Sequence, residues 1–137
     1  MANKDAVKKR ILVVDDEADV VTYLVALLED NGYATDTAKD GNEAMARVKA
    51  NKPDLITLDL SMPEKSGVKF YREIKGDPEL AKIPVVMVTA VTGYADSSEV
   101  YKKFISSRKQ VPPPDGFIPK PIDQEEMLKA IQGLLAK

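Results

Sequence analysis

Four short apolar runs in this chain each lead into a side chain that can carry charge or donate a hydrogen bond. Ile11-Leu12-Val13-Val14 runs into Asp15-Asp16-Glu17, Leu55 to Leu58 into Asp59, Val85 to Val88 into Thr89, and Gly116 to Ile118 stops just short of Lys120. If these runs are neighbouring strands, the carboxylates of Asp15, Asp16 and Asp59, a hydroxyl and an ammonium meet on one rim. Two like charges about 4 Å apart repel by about 4 kcal/mol at an effective dielectric near 20, so such a rim persists where a cation neutralises it. The chain contains neither His nor Cys. Oxygen donors alone favour Mg²⁺, with Mn²⁺ or Ca²⁺ able to substitute, over zinc. Mg²⁺ takes one or two carboxylates and reserves positions for water and phosphate oxygens. Three carboxylates, one lysine and one divalent ion cancel in charge, and such a site accepts a phosphoryl dianion without a large Coulomb penalty. Asp59 is then the nucleophile that forms an acyl phosphate. Lys120 spreads the charge of the equatorial oxygens, and Thr89 donates to one of them.

The elements that must hold these residues follow from the hydrophobic pattern. Ile11 to Val14 is a β-branched-rich run of the kind found in strands buried on both faces. Val20, Leu24, Leu27 and Leu28 share a helical face that Asn31-Gly32 closes. The alternation continues with a weak strand over Ala34 to Ala38 and a helix after Gly41-Asn42 that carries Ala44, Met45 and Val48. A strand over Leu55 to Leu58 precedes a helix with Val68, Tyr71 and Ile74. Pro84 introduces the strand Val85 to Val88, and a helix is expected from about Asp96 to Ile105. A short strand, Gly116 to Ile118, leads to a final helix capped by Asp123 that presents Met127, Ile131, Leu134 and Leu135. Five strand–helix pairs in strict alternation predict an α/β fold with a parallel sheet covered by helices on both faces. Ligands of such sheets sit at the carboxyl ends of the strands.

Bulk properties agree. The chain has 137 residues, 44% hydrophobic and 31% charged, with a net charge of −2. That fits one globular domain, expected over 10–137 after a polar tail at 1–9, and gives no general attraction to nucleic acid or anionic membranes. The polar N-terminus has no apolar core of a signal peptide, and the longest nearly apolar run, Val20 to Leu28, is too short to cross a bilayer. Absence of Cys removes disulfides and thiol chemistry and suits a cytoplasmic location. Absence of His removes imidazole ligands, His bases and any role as a phosphohistidine donor.

The pattern resembles the bacterial response-regulator receiver family, CheY-like in fold. The matching pieces are Ile11 to Glu17, Asp59-Leu60-Ser61-Met62-Pro63-Glu64-Lys65-Ser66-Gly67, Val88-Thr89-Ala90 and Lys120-Pro121. They occur in the family's order, over nearly the whole chain. The resemblance implies a flavodoxin-like doubly wound (βα)5 sheet of order 2-1-3-4-5. It makes Asp59 the phosphoacceptor, Asp15 and Asp16 the acidic pair for Mg²⁺, and Ser61 a metal ligand through its backbone carbonyl. Thr89 matches the phosphate-sensing hydroxyl and Lys120 the phosphate-binding cation, the latter before an X-Pro bond that is usually cis in the family. Phe117 matches an aromatic that swings inward with Thr89. It implies a two-component switch that takes its phosphoryl group from a histidine kinase or His-phosphotransfer protein. Such a switch turns over no substrate besides its own phosphate, and presents the surface of its fourth helix, fifth strand and fifth helix to a protein partner. A monomer or weak dimer is expected, with no direct nucleic-acid or membrane contact and with output through a protein partner rather than an output domain after Lys137.

Simpler roles exist for each residue taken singly. Asp15 and Asp16 suit helix N-capping, Thr89 is an ordinary strand residue, Lys120 a solvated lysine and Phe117 a core aromatic. The chain also departs from the family pattern. The segment from Thr89 to Lys120 is long, with Lys102, Lys103, Arg108 and Lys109 before Val111-Pro112-Pro113-Pro114-Asp115. It is either a solvated loop ending in stiff polyproline or a basic docking element. Pro119 removes a ladder donor and requires a sheet edge. Ser61 and Val91 fall where the family tunes hydrolysis of the acyl phosphate, and apolar Val91 cannot position a water, so the phosphate should be long-lived. Three other functions compete: a phosphorylation-independent interaction module, an Asp-nucleophile phosphotransferase and a flavodoxin-like carrier. The second usually needs another Asp two residues after the nucleophile, where this chain has Ser61. The third needs a Ser, Thr and Gly phosphate loop where this chain has Asp15-Asp16-Glu17.

Overall fold

A computed structural model describes residues 8–59, 66–90, 115–120 and 122–136. The strands are β1 (Arg10–Val14), β2 (Ala34–Ala38), β3 (Leu55–Asp59), β4 (Val85–Ala90) and β5 (Gly116–Lys120). The helices among the described residues are α1 (Ala18–Asp30), α2 (Gly41–Ala50), α3 (Ser66–Gly76) and α4 (Gln124–Leu135). The helix expected near Asp96 to Ile105 lies outside the described residues, as does most of the basic and proline-rich segment, so α4 here is the last helix of the expected five. No described helix is long and apolar enough to cross a membrane.

The sheet is parallel and runs β2-β1-β3-β4-β5, as expected. Alternation along the strands sorts the core into two layers. Leu12, Val14, Ile56, Leu58, Val85 and Met87 face one side, where α2 contributes Ala44 and Val48, and α3 contributes Phe70, Tyr71 and Ile74. Ile11, Val13, Leu55, Val86, Val88 and Ile118 face the other, against Leu24, Leu27 and Leu28 of α1 and Met127 and Ile131 of α4. A sheet buried on both faces reads in sequence as continuous apolar runs, and β1 and β3 do. β2 is an edge strand and only half-buried. β5 runs two residues past the expected end, because Pro119 sits on the opposite edge, where a missing donor is tolerated.

Helix ends are fixed locally. Asp123 caps α4 as expected, accepting from the Glu126 N–H at 3.0 Å. Asp40 caps α2 by accepting from the Glu43 N–H at 2.8 Å, and Glu43 Oε1 in return accepts from the Lys39 N–H at 2.8 Å. α1 ends in a Schellman turn: the Tyr33 N–H donates to the Leu28 carbonyl and the Gly32 N–H to the Glu29 carbonyl, both at 3.1 Å, with Gly32 at φ +91°.

A Cβ built on Gly32 or on Gly133, within α4, meets nothing within 4 Å, so backbone conformation alone separates the two. Gly32→Ala should destabilise the protein by about 1 kcal/mol, because it forces an L side chain into the left-handed region. Gly133→Ala should stabilise it by about 0.5–1 kcal/mol. Urea unfolding of the two variants beside the parent checks both signs.

Candidate metal and phosphoacceptor site

The parallel register brings the chemistry to one rim. Val14 pairs with Leu58, so Asp15 and Asp59 are the next residues on adjacent strands. Asp59 pairs with Val88, one residue before Thr89, and Ala90 pairs with Lys120. The carboxyl ends of β1, β3, β4 and β5 thus carry Asp15, Asp59, Thr89 and Lys120 in spatial sequence. Phe117 lies within β5 opposite Met87. The side chains of Thr89, Phe117 and Lys120 fall outside the described part, as does the whole of Ser61.

Among the described residues, Asp15 and Asp59 are buried polar side chains, 2% and 1% exposed. Carboxylate oxygens of Asp15, Glu17 and Asp59 lie within 4.8 Å of one another. Asp16, expected as the second metal residue, is exposed and is not in this group. The local cause is visible. Asp15 Oδ1 accepts from the Glu17 N–H at 2.9 Å, while its own N–H donates to the Ala38 carbonyl at 3.1 Å. This folds the chain back after β1 and brings Glu17 to the rim. Glu17 also takes the N-cap position of α1 through its backbone, its carbonyl accepting from Val20 and Val21, and without a side-chain cap. Neither aspartate is therefore the helix cap. Sequence reasoning placed Glu17 in the motif but gave it no role; a strand-end pattern does not reveal that a carboxylate will hook the N–H two residues on.

Three clustered carboxylates, two of them buried, form an oxygen-only donor set that fits a hard divalent cation such as Mg²⁺. Such an ion would offset the mutual repulsion of the buried pair and supply Lewis-acid stabilisation to phosphate oxygens.

The family model described as "Response regulator receiver domain" matches residues 11–132. Protein Rrf1 of Nitratidesulfovibrio vulgaris is 34% identical over 127 residues, covering 93% of this chain and 83% of Rrf1. Protein PilH of Pseudomonas aeruginosa is 33% identical over 127 residues, covering 93% of this chain and 98% of PilH. Among solved structures, the signal receiver domain of a signal transduction histidine kinase from Syntrophus aciditrophicus is 32% identical with a TM-score of 0.77, covering 93% of this chain and 90% of that one.

Mg²⁺ at about 100 times its Kd should stabilise the protein by about 2.7 kcal/mol. Asp15→Asn and Asp59→Asn should each abolish that gain in a thermal-shift titration.

Proposed function

The chain belongs to the response-regulator receiver family, and on that footing we propose that Asp59 accepts a phosphoryl group from a histidine kinase or His-phosphotransfer protein and so switches the chain between two signalling states. The observation that carries this is the burial of Asp15 and Asp59 side by side at the ends of adjacent strands, with Glu17 beside them. As a receiver, the chain is a component of two-component signalling, a switch rather than an ordinary enzyme. We propose further that its only reactions are gain and loss of its own phosphate, and that it works in the cytoplasm.

The roles follow from position. An oxygen of the Asp59 carboxylate attacks phosphorus. The new O–P bond forms as the N–P bond to the donor histidine breaks, and the bonding pair returns to the imidazole. Lys120, at the end of β5, balances charge on the transferred group, and the Thr89 hydroxyl donates to one of its oxygens. Burial of Asp59 keeps bulk water from competing and strengthens every charge interaction at the rim. Asp15, Asp16 and the Ser61 carbonyl are assigned with Asp59 to Mg²⁺ on the family pattern, and Glu17 is the alternative third carboxylate that the fold itself offers. Phe117 is assigned the inward swing that follows Thr89. Burial of one ring contributes at most about 1.5–3 kcal/mol, whereas moving a two-state equilibrium from 1:99 to 99:1 needs about 5.5 kcal/mol. Contacts from phosphate to Thr89 and Lys120 must supply the remainder of the bias. The surface that responds is assigned to the fourth helix expected from the sequence, β5 and α4.

Incubation with Mg²⁺ and acetyl phosphate should add one phosphoryl group by intact mass, and Asp59→Asn should take none. No addition to the parent chain would point instead to a phosphorylation-independent interaction module. In Mg²⁺ titrations Asp16→Asn should weaken binding more than Glu17→Gln; the reverse order assigns the third carboxylate to Glu17. With Val91 unable to position a water, the acyl phosphate should persist for minutes or longer after donor removal. Decay within seconds would contradict that role.

A further inference from the structure

β5 is weakly secured where it matters most. It lies at the sheet edge, and Pro119, opposite Thr89, has no N–H to donate. Yet Lys120 is useful at one register only. Side chains alternate between faces, so a slip of one residue would move Lys120 to the other side of the sheet.

The opposite end of the strand is held firmly. The Asp115 N–H donates to the Val85 carbonyl at 2.9 Å, and Asp115 Oδ2 accepts from the Val85 N–H at 2.9 Å. One residue thus engages both backbone groups of Val85, immediately before β5 begins. Lys75, in the last turn of α3, places its Nζ 3.7 Å from the same Oδ2. The ammonium also donates to the carbonyls of Ala81 and Ile83, each at 3.2 Å, and stands 5.8 Å from the centroid of the Tyr71 ring. Its side chain is only 6% exposed. Burial lowers the pKa of Lys75 from its ordinary value, and the charge of Asp115 and its hydrogen bond oppose that shift. Gly116 follows Asp115 opposite Val86, where an added Cβ would lie 3.3 Å from a Val86 methyl, so the backbones fit closely at this step.

We propose that Lys75 and Asp115 are positioning residues for phosphoryl transfer, a two-residue pin that sets the register of β5 on β4 and thereby places Lys120 at the phosphoacceptor rim. The inference rests on the reading of Lys120 as the cation that meets the phosphate. A slipped strand would take Asp115 away from both Val85 groups and leave a buried ammonium without its counter-ion. Ion pairs in such surroundings contribute little net stability, and their best-attested use is to select one register.

The test uses the full chain and the variants Lys75→Met, Asp115→Ala and the double variant Lys75→Met/Asp115→Asn. In the double variant no buried charge is left unpaired, and the asparagine oxygen can still accept from Val85. Three quantities are read: Mg²⁺ affinity, the rate of acyl-phosphate formation from acetyl phosphate at saturating Mg²⁺, and hydrogen exchange of the Ile118 amide. The single variants should keep Mg²⁺ affinity within about twofold, since Asp15 and Asp59 lie on other strands. They should phosphorylate about tenfold or more slowly and lose protection at Ile118. The double variant should recover most of the rate. Uptake at an unchanged rate in the single variants, or a rate that falls only in step with Mg²⁺ affinity, overturns this assignment alone. Failure of the unsubstituted chain to take phosphate overturns the reading of Asp59 and this assignment together.

Discussion

Two carboxylates buried next to each other at the ends of adjacent strands oppose folding unless something balances them. Asp15 and Asp59 are in that position, and the parallel register of β1 on β3 leaves them no other. The chain keeps them there at the cost of like-charge repulsion. Stability alone would favour apolar residues at both positions, as at the neighbouring Val13, Val14 and Leu58. A pair of carboxylates kept against that gradient fits a site that a divalent cation would balance, and a rim so balanced would be suited to receive phosphate.

The two-layer core gives this rim its precision. Each strand of the central trio contributes side chains to both apolar layers, so none can shift without disturbing α1 and α4 on one side and α2 and α3 on the other. Close-packed interiors transmit small displacements rather than absorbing them. The carboxyl ends of β1, β3 and β4 are therefore fixed by burial. Of the four strands that end at the rim, the edge strand β5 lacks a second neighbour along its length, and polar contacts at its start make up the difference.

Much of this was legible in the sequence for identifiable reasons. Ile11 to Val14 and Leu55 to Leu58 announce doubly covered strands because continuous apolar runs have few other uses, and Asp59 stands out because it ends one of them. Asp123 was legible because capping is a local interaction. The place of Glu17 beside Asp15 and Asp59 was not, since it depends on a turn in which Asp15 hooks a backbone N–H. Lys75 was not either. On an amphipathic helix a lysine near the C-terminus reads as a solvated charge, and its partner Asp115 is distant in sequence, at the end of a segment with no periodic signal. The apolar run of β5 stops at Ile118, which sets its expected end two residues short, whereas the edge position that Pro119 requires agrees with the strand order expected from the sequence.

That order also bears on how copies of the chain meet. Exposed strand edges are templates for pairing with other chains, and proteins blunt them with short strands, charges and proline. Here one edge is the five-residue β2, interrupted by Asp36, whose carboxylate lies 3.7 Å from the Arg47 guanidinium. The other is β5, with Pro119 in its backbone. Neither edge offers an uninterrupted apolar ladder, so the sheet is poorly suited to growing across a molecular boundary. Edges of this kind discourage open-ended aggregation, the irreversible outcome that an exposed sheet invites.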